Sequence, residues 1–187
     1  MARPRTYDKD LRDKLVEETA NRLAEGPAEN LGLRDLTKSV GTSTNAVYSL
    51  FGAKEVLVWE AIRKILGEKR VEIEKISEPN PRAMVAALGK FLEDWASESL
   101  DSYLNCLYPP KGNNLFRVGV GEQPNMDTEL GSLFVKKVVE SSEKDQRNLS
   151  QKAEVVYCFI KGQISSRSLP EGVGVDITPE DVFDQIC

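Results

Sequence analysis

Histidine is absent from the 187 residues of this chain. The commonest general base near neutral pH and the commonest metal ligand are therefore missing, and with them every Ser-His, Cys-His or His-metal mechanism. Cysteine is scarce as well. Cys106, Cys158 and Cys187 lie far apart, are odd in number and form no C-x-x-C pair, so neither a disulfide framework nor a zinc site is indicated. Their ordinary reading is as buried small hydrophobes, and no metal or cofactor is expected. No uncharged run approaches the roughly 18 residues of a membrane span. The stretch "MARPRTYDKD" has no apolar region of the kind a secretion signal carries, so the expected location is the cytoplasm, with no membrane partner. Repeats and low-complexity tracts are also lacking. No segment alternates apolar and polar residues convincingly; "FRVGV" comes nearest, and its glycines weaken it.

What is present is an ordinary globular composition, 40% hydrophobic, 29% charged and 7% aromatic. The net charge of −5 is unevenly placed. Residues 1–70 hold 13 Lys/Arg against 11 Asp/Glu, and residues 71–187 hold 12 against 19. A weakly cationic first third on an acidic body suits a small DNA-binding unit and excludes a histone-like coating protein. The missing histidine, and the absence of a phosphate loop or metal cluster, argue against an enzyme.

Helical periodicity runs through almost the whole chain, so the fold class is all-α. Leu11, Leu15, Thr19 and Leu23 recur every four residues and are followed by the breaker "EGPAEN". Leu33, Leu36 and Val40 mark a short helix ended by Gly41, and Thr42 or Ser43 can cap the next, which runs to about Phe51. After Gly52 a long helix starts at Lys54 and continues through Trp59, Ile62, Leu66, Ile73 and Ile76. Asn80 and Pro81 open a helix with the face Met84, Leu88, Phe91, Trp95. Residues 108–126 are rich in Gly, Pro and Asn and read as a long loop. Helical pattern resumes at Leu130, Phe134 and Val138, and again from about Ser150 to Ser168, where "VVYCFI" is apolar nearly all round. Thr178, Pro179 and Asp181 signal the start of a short last helix with Val182, Phe183 and Ile186.

Two short helices around a Gly turn, residues 33–51, form a helix-turn-helix pattern. In a bundle the same pattern is a plain αα-hairpin. As a DNA reader it places the start of its second helix against base edges, and Thr44, Asn45 and Ser49 are short donors and acceptors suited to that, with Tyr48 amphipathic beside them. Gly52-Ala53-Lys54 sets a helix N-terminus and a cation directly after the second helix, a ready phosphate site. Arg34, at the start of the first short helix, points the same way.

The segment "GLRDLTKSVGTSTNAVYSLFGAKEVLVWEAI" resembles the DNA-binding part of the TetR family of transcriptional regulators. The resemblance rests on Leu33-Arg34-Asp35, Gly41-Thr42-Ser43, Val47-Tyr48-Ser49-Leu50-Phe51 and Lys54-Glu55-Val56-Leu57, and covers about residues 8–66. It implies that Tyr48 and Lys54 hold phosphates, that Arg34 reaches a phosphate or nearby base, and that Thr42, Ser43, Thr44, Asn45 and Ser49 line the groove of double-stranded DNA. Asn45 and Leu50 depart from the commonest residues of the family, which bears on the operator read. Arg3 and Arg5 are candidates for further DNA contacts.

For the whole chain the resemblance implies a helix-turn-helix domain over residues 1–53 and a ligand-binding and dimerisation domain over 54–187, bridged by the helix from Lys54. It further implies a homodimer through the C-terminal helices, here residues 150–168 and 179–187. A small, largely apolar effector would enter the body and release a palindromic operator, repression being the family default. Candidate pocket residues are Phe91, Trp95, Tyr103, Tyr108, Phe116, Phe134, Tyr157 and Phe159, with Trp95 and Tyr157 foremost because a buried indole or phenol wants a polar partner. The alternative is a regulator of the same fold that senses oxidation through Cys106 with Cys158 or Cys187.

Overall fold

The computed structural model describes residues 9–109, 126–143, 146–167 and 177–186. Among these every regular element is helical: α1 Lys9–Leu23, α2 Leu33–Val40, α3 Thr44–Phe51, α4 Lys54–Lys75, α5 Pro81–Glu98, α6 Leu100–Leu107, α7 Met126–Glu140, α8 Gln146–Ser166 and α9 Pro179–Gln185, with a 3-10 turn at Ala28–Asn30. The fold is all-α. The chain divides into two compact units, one within Met1–Gly67 and Asp101–Gln123, the other within Glu68–Leu100 and Pro124–Cys187. The division falls inside α4, between Gly67 and Glu68, further along the chain than the boundary at residue 53 or 54 that the sequence suggests.

In the first unit α1 packs on α2 and α2 on α3. The apolar stripe of α1 is buried at Leu15, Ala20 and Leu23, that of α2 at Leu36, and that of α4 at Leu57, Ala61 and Ile62. Burial of this kind is the main stabilising term, about 1.5–3 kcal/mol for each large aliphatic side chain. The buried hydroxyls are satisfied locally: Thr19 donates to the Leu15 carbonyl at 2.7 Å and Thr37 to the Leu33 carbonyl at 2.8 Å. Glu18 accepts from Arg22 at 2.9 Å and from Ser39 at 2.8 Å, which ties α1 to α2.

The fixing point of α6 is Asn105, which is buried. Its Oδ1 accepts the Ala28 N–H at 3.0 Å, and its Nδ2 donates to the carbonyls of Leu23 at 2.9 Å and Gly26 at 3.0 Å. One amide thus satisfies the end of α1 and the start of the 3-10 turn, where backbone groups lack helical partners. α6 itself is a separate helix that the periodicity of the sequence does not distinguish. The chain leaves helical geometry at Ser99 (φ −154°, ψ 98°), while the Ser99 N–H still bonds the Trp95 carbonyl.

In the second unit α7 packs along α8, and α5 packs on α7, α8 and α9. The start signals read from the sequence are realised. The Asn80 side chain accepts the Ala83 N–H at 3.0 Å with Pro81 at the first helical position. Thr178 and Asp181 form a reciprocal capping box, and the Thr178 N–H and hydroxyl hold the Asp181 carboxyl below its usual range. α8 begins at Gln146, earlier than the apolar run suggests, because its first turn is polar. Gly131 is demanded by close approach: a Cβ there would lie 2.9 Å from the Tyr157 ring.

Replacing Asn105 with Ala would leave the Ala28 N–H and the Leu23 carbonyl buried without this partner, and would remove the bond to the part-buried Gly26 carbonyl. The expected loss is about 2–3 kcal/mol of unfolding free energy by urea denaturation, with Asn105→Asp no better because a carboxylate would face two carbonyl oxygens.

Candidate nucleic-acid interface

The turn between α2 and α3 is closed by its backbone. Gly41 takes the left-handed conformation (φ 74°, ψ 32°); its N–H donates to the Lys38 carbonyl at 3.2 Å, and the Thr42 N–H donates to the Thr37 carbonyl at 2.8 Å. A Cβ at Gly41 would meet nothing, so the demand for glycine is conformational alone. Ser43 follows in extended geometry at the cap position, where its carbonyl accepts the Ala46 N–H at 2.9 Å. Its hydroxyl makes no capping bond and stays exposed.

α3 has two faces of opposite character. Ala46, Val47 and Phe51 are buried, whereas Asn45, Tyr48 and Ser49 are exposed, Tyr48 at 53%. Thr44 and Thr42 are half-buried at the turn. Among the described residues the side chains of Ser43, Asn45, Tyr48 and Ser49 form no internal hydrogen bond. The outward face therefore consists of small polar groups and one amphipathic ring whose donors and acceptors point away from the core, as a base-reading surface requires.

α3 is held from beneath by Arg12 of α1, a residue that the sequence reading does not single out. Its guanidinium donates to the Leu50 carbonyl at 2.8 Å, pairs with Glu60 of α4, and lies 4.5 Å from the centre of the Phe51 ring. Its spacing from Leu15 and Thr19 puts a charge beside the apolar stripe of α1, the one sequence signal that marks it. Gly52 ends α3 with positive φ (75°), its N–H on the Tyr48 carbonyl at 2.9 Å, and α4 starts two residues later at Lys54. Arg34 and Lys38 are exposed on α2 and Lys54 is half-buried. These three cations belong to the same compact unit as α3.

The proposed pocket residues fall into separate groups. Phe134 and Tyr157 meet at 5.6 Å with ring planes tilted by 46°. Phe134 also borders a void of about 10 Å³ with Ile73, Leu88, Leu92 and Leu130, room for a single water. Phe91 and Trp95 share the Lys69 ammonium, at 5.6 and 5.7 Å from their ring centres. Phe159 is half-buried on α8. Tyr103 and Tyr108 belong to the first unit, buried and exposed respectively. Phe116, Arg3, Arg5 and Cys187 lie outside the described residues. Burial pushes the Cys106 thiol up to about 12, which removes the thiolate that oxidation chemistry needs. Cys158 is exposed. Among the described residues no group of three or more acidic or cysteine side chains is arranged to hold a metal ion, and no helix is long and apolar enough to cross a membrane.

Arg12→Met would remove one directional bond, one ion pair and one ring contact while keeping the stem. Urea denaturation should report a loss of about 1–2 kcal/mol, and amide exchange should quicken first in α3.

No family model matches the sequence, and no curated protein matches it. The solved structures give a likeness in fold. A tetR-family transcriptional regulator from Streptomyces coelicolor superposes with a TM-score of 0.64 over 97% of this chain and 78% of its own, at 11% sequence identity. The chain therefore has the fold of a TetR-family transcriptional regulator, an N-terminal helix-turn-helix followed by a helical body.

Proposed function

We propose that the chain is a TetR-family regulator that binds a palindromic operator in double-stranded DNA as a homodimer, represses transcription in the cytoplasm, and is released by a small, largely apolar effector. It has no catalytic role. The observation that carries the reading is the outward face of α3, where Asn45, Tyr48 and Ser49 are exposed without internal hydrogen bonds on the second helix of a helix-turn-helix. A packing hairpin would gain nothing from a polar crest beside an exposed tyrosine.

In this reading Thr42, Ser43, Thr44, Asn45 and Ser49 face base edges, while Tyr48, Lys54 and Arg34 hold the phosphates that set register. Residues 1–53 carry recognition, and residues 54–187 carry effector binding and dimerisation through the C-terminal helices. Release requires an effector that binds one arrangement of the body better than the other. Trp95 and Tyr157 are the first pocket residues to vary, because both are buried.

Mobility shift of the DNA upstream of the chain's own gene tests the reading. Specific binding should be lost in Tyr48→Ala, with the protein's helicity unchanged. A wild-type protein that binds this DNA no better than random duplex would count against it.

Salt dependence checks the phosphate assignments separately. Lys54→Ala should flatten the slope of log affinity against log salt by about 2 per dimer, one phosphate for each subunit, and weaken all sequences alike.

A further inference from the structure

We infer that the groove between α7 and α8 binds a long-chain carboxylate, with the head group at the turn end of the two helices and the chain laid along them. The inference deepens the effector-released reading above and rests on it for any consequence at the operator. It narrows a small, largely apolar effector to one class, an anion with an unbranched apolar tail.

The groove is open, measures about 730 Å³, a size common among ligand sites, and belongs wholly to the second unit. Its floor is apolar: Val135 and Val139 of α7 are half-buried, and Tyr157 of α8 is buried. Gly131 and Phe134 both meet the Tyr157 ring, and only a short connection separates Glu140 from Gln146, so α7 and α8 run antiparallel. From Gln146 to Lys161 the groove follows α8 for about 22 Å at the helical rise. That length suits an extended chain better than a compact ring system.

The rim carries the charge. Lys136, Arg147 and Lys161 line the groove against a single acid, Glu154. Residues 71–187 as a whole hold 12 Lys/Arg against 19 Asp/Glu, so the cationic excess here runs against the charge of the surrounding body. Lys136 and Arg147 fall toward the turn end. Arg147 is exposed and forms no ion pair or hydrogen bond among the described residues, and Lys136 reaches Glu140 only at 3.7 Å. A guanidinium holds a carboxylate through two parallel hydrogen bonds, and Ser150, one turn further along α8, adds a hydroxyl to the same stretch of the groove. At the far end the Lys161 ammonium lies 5.8 Å from the centre of the Tyr157 ring, which places its apolar stem where a tail would run. A neutral molecule would leave these cations unused, and a cationic one would be repelled.

The site occupies one flank of α8. Its residues there, Arg147, Ser150, Glu154, Cys158 and Lys161, recur at helical spacing as a stripe turned toward α7. The opposite flank meets the α9 segment: Lys152 stands 5.5 Å from the centre of the Phe183 ring, and the Gln163 amide donates to the Ile177 carbonyl at 3.2 Å. A ligand in the groove therefore leaves the α9 side of α8 available to the homodimer proposed above.

Alkylation of Cys158, which is exposed and lines the groove, reads occupancy directly. The full chain is treated with iodoacetamide and each cysteine is followed by peptide mass spectrometry, with the buried Cys106 reporting any unfolding. Dodecanoate below its micellar concentration should slow Cys158 by about 10-fold and leave Cys106 unreactive, whereas acetate and dodecyltrimethylammonium should not slow it. Arg147→Glu combined with Lys136→Glu should raise the dodecanoate concentration for half protection by about 10-fold with helicity intact, because both side chains are exposed. Val135→Asp should act likewise through the floor. Equal protection by dodecyltrimethylammonium would mean an adventitious apolar surface only and would overturn the inference, as would no protection by dodecanoate. A groove filled by a second copy would also overturn it, and would show as a change of mass in sedimentation equilibrium on Val135→Asp with no protection by dodecanoate. The assay contains no DNA, so its failure leaves the operator reading standing, and a chain that binds no operator leaves the site standing.

Discussion

The geometry of α3 depends on one guanidinium. An isolated helix of eight residues is marginal in water, so α3 must be held by its surroundings. Burial of Ala46, Val47 and Phe51 supplies attraction without direction. Arg12 supplies the direction: it takes up the Leu50 carbonyl, one of those left without helical partners at the end of α3, and joins it to Glu60 of α4. Because this anchor reaches α3 from the core side, the opposite side needs no stabilising contacts of its own. The uncapped Ser43 hydroxyl belongs to the same arrangement, in which the backbone bonds at Gly41 fix the turn.

The second unit solves a different problem with different means. Its helices approach closely where side chains are missing, at Gly131 under the Tyr157 ring and at Gly89 under Pro179. Around Phe134 the packing leaves only a void of about 10 Å³ with an apolar lining, whereas Gly131 and Tyr157 also border an open groove of about 730 Å³ between α7 and α8. A molecule that reached Phe134 would have to displace packed side chains, and in a close-packed interior small local shifts of that kind become rearrangements of whole helices.

Much of this architecture is legible in the sequence because it is written locally. Gly41 ends α2, Asn80 with Pro81 opens α5, and Thr178 with Asp181 opens α9; each signal works through bonds within a few residues of itself. The outward polar face of α3 is legible for the same reason, since a helical period separates Ala46 and Val47 from Asn45, Tyr48 and Ser49. What stays hidden depends on partners distant along the chain. Asn105 reads as an unremarkable polar residue until the fold brings it to Leu23, Gly26 and Ala28. Arg12 likewise gains its meaning only from Leu50 and Glu60. The break between α5 and α6 carries neither glycine nor proline, so periodicity runs straight through Ser99. The aromatic residues are the least legible, because the same rings serve a core and a ligand site equally well.

The separation of faces on α3 has an evolutionary consequence. Residues that hold the helix and residues that would read DNA do not overlap, so Asn45, Tyr48 and Ser49 can be exchanged at little expense in folding free energy. Such a helix can drift from one target sequence to another through a succession of fully folded intermediates. Duplicated copies could then diverge in what they recognise long before they diverge in shape.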